Sequence, residues 1–338
     1  MKPSMLQRTT TRSIFSVVCF VGICGTADGA EYGLGNYLLG LTIPMAGYTP
    51  PAGIYFQDSL YLYKGSASGT INFPFGNVVV AGLSEKFIIN VATLSWFAPG
   101  SFLGGTFGVA ATIPYGRVEV SADVAFTGPL GNNRQLSRFD SVTGIGDTAY
   151  SAILGWQNGN HHWNVTVTGF APTGVYNPNR LANVGLNRPG VDVKGAYTWL
   201  DVKSGLEFSA ALGMTFNLEN TATNYSTGSE LHLEAAINKT LANGFSFGVG
   251  GYWYQQITGD GGSGNRIGPF KGRVAAIGPM IGYTFKAGEL PISLSAKWFH
   301  EFDTENRLRG DSVFATLSMP LFVYPPAPQT PKAGVVTK

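Results

Sequence analysis

The 338-residue chain is nearly free of cysteine: its two, Cys19 and Cys24, both fall in the first 24 residues. If that segment is removed on export, the mature chain has no disulfide, no thiolate metal site and no cysteine nucleophile. Charge is scarce as well. Asp, Glu, Lys and Arg make up 12% of the chain, about half the ~25% of ordinary soluble domains. The net charge of +2 leaves no electrostatic footprint for nucleic acid. Disorder is excluded by the 13% aromatic content, which unfolded segments lack. No apolar run reaches the 18 or so residues of a membrane helix. Phosphate loops, HExxH and EF-hand patterns are missing too, and Gly259 to Asn265 (GDGGSGN) has calcium-loop residue types without the spacing or terminal Glu. No cofactor is implied.

What is present begins with a basic start (Lys2, Arg8, Arg12), an apolar run from Ile14 to Cys24 and a small-residue exit around Ala27 and Ala30. That is the layout of a secretory signal peptide, expected over 1–30. The following stretch, 31–53, is apolar and rich in Gly and Pro without alternating. It reads as a periplasmic leader or as a plug folded into a lumen.

From there on the chain alternates with period two. Between Leu206 and Leu218 the even positions are apolar, and the odd ones include Glu207, Ser209, Thr215 and Asn217. Leu231, Leu233 and Ile237 alternate in the same way with Glu230, His232, Glu234 and Asn238. Such alternation marks strands with two different faces. About twelve segments follow the rule: 54–63, 86–97, 102–126, 142–156, 162–171, 191–201, 205–218, 229–240, 245–257, 272–285, 291–302 and 311–322. Most exceed the ~5–6 residues of a soluble strand and match the ~9–11 of a tilted membrane strand. The third segment, 102–126, contains Pro114-Tyr115-Gly116, which implies a kink or bulge.

The connections alternate in length. Short ones are expected at 98–101, 157–161, 202–204, 241–244 and 286–290. Long ones are expected at 64–85, 127–141, 172–190, 219–228, 258–271 and 303–310. Outer-membrane barrels pair short periplasmic turns with long outer loops. Closure satisfies every backbone group, as lipid demands, and leaves no exposed edge. The expected fold is therefore all-β: a transmembrane antiparallel up-and-down β-barrel of about 12 strands over 54–322, in the bacterial outer membrane. Its final strand has the form recognised by barrel-assembly machinery, and a disordered proline-rich tail is expected over 323–338. Trp96, Trp156, Trp199, Trp253 and Trp298 suit an interfacial girdle in contact with outer-membrane lipid.

Several motifs carry a family resemblance: Pro50 to Tyr55 (PPAGIY), Pro172 to Asn187 (PTGVYNPNRLANVGLN), Asn217 to His232 (NLENTATNYSTGSELH), Tyr254 to Asp260 (YQQITGD), Ile277 to Tyr283 (IGPMIGY) and Asn306 to Asp311 (NRLRGD). In this order they resemble the outer-membrane family of the phenol meta-pathway degradation type, near its sphingosine-induced porin-like members. The chain departs from the family at Arg188-Pro189. The resemblance implies a channel for passive uptake of small hydrophobic or aromatic compounds.

By strand parity the lumen should be lined by Arg117, Glu119, Asp123, Asp192, Lys194, Glu207, Glu230, His232, Glu234 and Lys297. Mixed signs imply weak ion selectivity. Two alternatives stand beside the channel. Ser229, His232 and Glu234 supply the residue types of an outer-membrane lipid hydrolase without its spacing signature, and a structural or adhesive barrel needs no transport. His161-His162 are neighbours on a strand, so they point to opposite faces and make a poor metal pair. No catalytic and no metal residues are expected.

Overall fold

The computed structural model describes residues 31–75, 78–127, 133–265, 268–288 and 290–325. The segment 1–30 and most of the tail lie outside these. Thirteen strands follow one another: β1 (Gly53–Phe75), β2 (Val78–Phe97), β3 (Thr106–Thr127), β4 (Asn133–Ile145), β5 (Thr148–Asn158), β6 (His161–Ala171), β7 (Gly190–Asp201), β8 (Leu206–Asn217), β9 (Glu230–Thr240), β10 (Phe245–Gln256), β11 (Arg273–Ala287), β12 (Leu290–Glu305) and β13 (Arg309–Val323). All pairings are antiparallel, and β1 pairs with both β2 and β13, closing the cylinder. β4 and β5 are successive halves of one stave, both paired to β3. The barrel therefore has twelve staves.

Lipid on one side and a filled interior on the other explain the alternation. In β8, Phe208, Leu212 and Phe216 face outward and are exposed, whereas Glu207, Ser209 and Thr215 face inward and are buried. Trp96, Trp156, Trp163 and Trp199 flank the short turns, the place of an aromatic girdle. The short turns depend on glycine. Gly205 (φ 71°) and Gly244 (φ 86°) adopt left-handed backbone, and a Cβ on either would collide with the carbonyl of Thr240 or Thr284. No described helix is long and apolar enough to cross a membrane; the crossing elements are strands.

Two features differ from the sequence-based expectation. Much of 64–85 and 127–141 is strand, not loop: β1 and β2 stay paired as far as Phe75 and Val78, and β3 and β4 as far as Thr127 and Asn133. Above the lipid, backbone groups still gain by pairing, and the β-prone stretch at 71–80 permits it. Pro114 also does not bend its own strand, because β3 keeps an unshifted register with β2 through Val91↔Pro114. The break falls opposite, at Gly146-Asp147 between β4 and β5. Pro114 has no N–H to offer there, and its carbonyl accepts from Gly146 N at 2.9 Å.

Candidate functional site: a filled lumen with an apolar cavity

Residues 31–52 thread the barrel interior from the loop end to the turn end. At the loop end Asn220 Nδ2 donates to Glu31 Oε2 at 3.0 Å, Tyr32 meets Tyr176 across 2.9 Å, and Arg188 Nη2 donates to Leu34 O at 2.8 Å. Midway, Tyr37 stacks on His232 with centroids 3.7 Å apart, and Gly40 N donates to Glu234 Oε1 at 3.0 Å. Lys297 Nζ donates to three carbonyls, Gly40 O (2.6 Å), Leu41 O (3.1 Å) and Ile43 O (2.8 Å). Toward the turns, Met45 N donates to Glu207 Oε1 (2.6 Å), Asn164 Nδ2 to Ala46 O (2.9 Å) and Gly47 N to Thr198 Oγ1 (2.9 Å). An irregular backbone cannot satisfy itself, so wall side chains supply its partners in a space closed to bulk water.

These contacts place the residues singled out by parity. Asp192, Lys194, Glu207, Glu230, His232, Glu234 and Lys297 point into the barrel, all but Lys194 fully buried. His232 Nε2 lies 2.7 Å from Asp192 Oδ2, which also accepts from Thr215 Oγ1 at 2.9 Å. Arg117 and Glu119 point outward instead, where they pair with each other at 2.8 Å and Glu119 also meets Lys86 at 3.8 Å. The reversal has a physical cause: this half of β3 stands above the lipid, so its outer face is wet. Its inner face, Val118, Val120 and Ala122, packs under Leu181 and Leu308. The side chain of Asp123 lies outside the described residues. Ser229 makes no hydrogen bond with His232, so Ser229, His232 and Glu234 do not form a nucleophile–base pair. His161 and His162 point to opposite faces, and no metal-binding group of His, Cys, Asp or Glu occurs among the described residues.

Beside the threaded segment lies a cavity of about 320 Å³. Its walls are Leu34, Leu38 and Leu41 of the segment and Tyr61, Tyr63, Phe87, Val91, Val118, Phe170 and Leu308 of the barrel. That is roughly twice the ~150 Å³ apolar cavity known to hold benzene. One side reaches the broken stave, where Pro114, Asp147 and Ala149 line it.

Above that break the wall is incomplete. β6 ends at Ala171 and β7 starts at Gly190, so among the described residues β4 pairs on one side only. The loop 172–189 closes the notch. Val175 N donates to Ile145 O at 2.8 Å, and Arg180 grips Asp140 at 2.7 Å. The Asp147 carboxylate accepts from Gly174 N, Leu186 N and Asn187 N at 2.7–2.9 Å. Arg188, the departure noted above, is 1% exposed, and its Nη1 donates to Thr227 Oγ1 at 2.7 Å. Sequence reasoning missed Asp147, Arg188 and Arg307. The one available signal was the Gly-Ile-Gly-Asp break (Gly144 to Asp147) inside an expected strand. Burial also raises the carboxyl pKa of Glu31 and of Asp260, which accepts from Tyr225 Oη at 2.5 Å in the outer loops.

No curated protein matches the sequence. Among solved structures, the COG4313 outer membrane channel from Pseudomonas putida F1 is similar, with a TM-score of 0.64 and 17% identity over 82% of this chain and 98% of that one. A Pseudomonas aeruginosa FadL homologue is more distant, with a TM-score of 0.40 and 11% identity over 87% of this chain and 98% of that one. The first likeness agrees with the fold of a bacterial outer-membrane barrel. A family model described as "Putative MetA-pathway of phenol degradation" matches residues 68–317, most of the barrel. The chain therefore belongs to that phenol-degradation family of outer-membrane β-barrels.

Proposed function

We propose that the barrel is a channel for passive passage of small hydrophobic or aromatic solutes across the outer membrane. The carrying observation is the aromatic and aliphatic cavity beside residues 31–52, which reaches a wall notch closed only by a loop. Water gains little in such a pocket, whereas an apolar solute gains about 25 cal/mol for each Å² it buries. Wall hydroxyls of Thr112, Ser151 and Thr168 along the lining offer a solute hydroxyl a partner without fixing it. The family and the similarity to a channel support the reading.

Uptake of radiolabelled phenol into vesicles with a lipopolysaccharide outer leaflet tests it. Wild-type barrel should raise the rate well above empty vesicles. Ala149→Trp, which fills the cavity wall at the broken stave, should return the rate close to that background. A folded Ala149→Trp barrel that transports at the wild-type rate removes the cavity from the route.

A further inference from the structure

Inside the barrel, charged groups are met by other side chains: Asp192 by His232 and Thr215, and Arg307 by the Tyr254 ring, 4.1 Å from its guanidinium. The lipid-facing wall carries an exception. On β1, Ser59 and Tyr63 are buried inside, so the residues of the other parity, Ile54, Phe56, Asp58, Leu60 and Leu62, point outward. Asp58 is the midpoint of that row. Trp96 stands opposite Ile54 at the turn end, and Lys86 stands opposite Lys64 beyond Leu62 at the loop end. The row between these marks matches the ~9–11 residues of a tilted membrane strand, which puts the Asp58 carboxylate at the depth of the lipid chains.

Its partner is also on the lipid side. Asn90 of β2 lies in an outward row with Ile88, Ala92 and Leu94, and its Nδ2 donates to Asp58 Oδ1 at 2.5 Å. That bond leaves one Asp58 oxygen, the second Asn90 N–H and the Asn90 amide oxygen without a protein partner among the described residues. Hydrocarbon supplies none, and ionisable groups at this depth are costly unless something covers them.

The surface beside the pair is shaped for close approach. A groove of about 440 Å³ starts at Asp58 and Asn90 and crosses β13 and β12 to β11. Ala296 and Ala315 stand opposite each other along it, and Leu60, Ile281, Tyr283 and Leu294 rise at its sides. Membrane segments associate through small residues and polar pairs of this kind, because apolar surface alone gains little over lipid.

We propose that this wall is an interface between two copies of the chain, related by a two-fold axis along the membrane normal, with the Asp58–Asn90 pairs at its centre. The occupant follows from the hydrogen bonds left over. The pair lacks a donor for a carboxylate oxygen and an acceptor for an amide N–H, and a second Asp58–Asn90 pair presents both. A two-fold brings Asn90 of each copy to Asp58 of the other, so one patch satisfies itself. Both copies insert with their short turns on the same side of the membrane, which sets the axis along the normal. The same rotation places the β2 side of one copy, with Leu94, against the β13 side of the other, where the groove lies. The proposal is independent of the cavity and of the solute.

The test is energy transfer between donor- and acceptor-labelled full-length barrels refolded into phosphatidylcholine vesicles, read across protein-to-lipid ratios, with copy number counted by photobleaching steps. Wild type should associate and stop at two. Asp58→Leu with Asn90→Leu, which suits lipid better, should weaken association about tenfold while heat-modifiable folding is kept. Ala315→Trp, which fills the groove, should weaken it too. The exchanged pair, Asp58→Asn with Asn90→Asp, should associate like wild type, and Leu212→Ala on the opposite wall should change nothing. A barrel that stays monomeric at every ratio, one that assembles beyond two, or a dimer indifferent to the leucine and tryptophan variants overturns the proposal. So does a leucine pair that lowers folding stability with association intact, since the polar pair would then serve only to join β1 to β2.

Discussion

Lys297→Met is the sharpest probe of how residues 31–52 are held. Lys297 is 4% exposed, and its ammonium serves Gly40, Leu41 and Ile43 carbonyls at 2.6–3.1 Å while lying 4.9 Å from the Phe314 ring. Methionine keeps most of the aliphatic stem, so packing is largely preserved. The loss is the donor. A buried acceptor left unsatisfied costs roughly 1–3 kcal/mol. At the low end, three carbonyls sum to about 3 kcal/mol, which at ~1.4 kcal/mol per decade raises the unseated population about a hundredfold. Planar-bilayer recording reads that population as openings of larger conductance, and limited proteolysis reads it as cleavage between residues 38 and 46. A heat-modifiable Lys297→Met barrel with wild-type openings and wild-type resistance to cleavage would refute the reasoning.

Deleting 31–50 should raise mean conductance several-fold in a barrel that still folds; unchanged conductance would mean that the segment does not limit the pore. Gly144→Cys with Val175→Cys, whose Cβ atoms would stand about 3.2 Å apart, can be made in a chain whose own cysteines, Cys19 and Cys24, both precede residue 31, and oxidation should pin the loop 172–189 to β4. Phenol uptake should then fall and return on reduction, and uptake indifferent to the bridge would place the route elsewhere. Arg188→Met strips Glu230 of a counterion 3.9 Å away, a change worth about 3–5 kcal/mol in a buried pair. Hydrogen exchange should quicken at 31–36 and 172–189, and wild-type protection there would refute the clamp. The raised pKa values of Glu31 and Asp260 mean that the folded loops bind protons more tightly than the unfolded chain. Their stability contribution is then greatest below the ordinary carboxylate range and fades as pH rises through the folded values. Acidifying from neutral pH should raise the protection of amides in the outer loops around Glu31 and Asp260, relative to their intrinsic exchange rates; lower protection would contradict the sign.

Parity made the barrel legible in sequence wherever lipid lies outside and polar contacts lie inside. Glu207 and Ser209 of β8 and Glu230, His232 and Glu234 of β9 obey that rule. The same rule misplaced Arg117 and Glu119, because above the lipid the wet face is the outer one and the apolar face packs under a loop. Expected loops at 64–85 and 127–141 proved to be hairpins, since Gly- and Ser-rich composition signals freedom from lipid and not absence of pairing. The roles of Arg188 and Arg307 were not legible for another reason. Their partners lie far along the chain, 154 residues away for Arg188 and Leu34, and no local pattern encodes a contact made by folding a loop inward.

Photolabelling with a small diazirine-bearing arene during uptake tests the central claim most directly, with adducts mapped by mass spectrometry. Passage through the cavity predicts adducts on Leu38, Tyr61, Tyr63 and Phe87, all suppressed by excess phenol. Adducts confined to outward residues such as Phe208, Leu212 and Ile281, or insensitive to phenol, would contradict it.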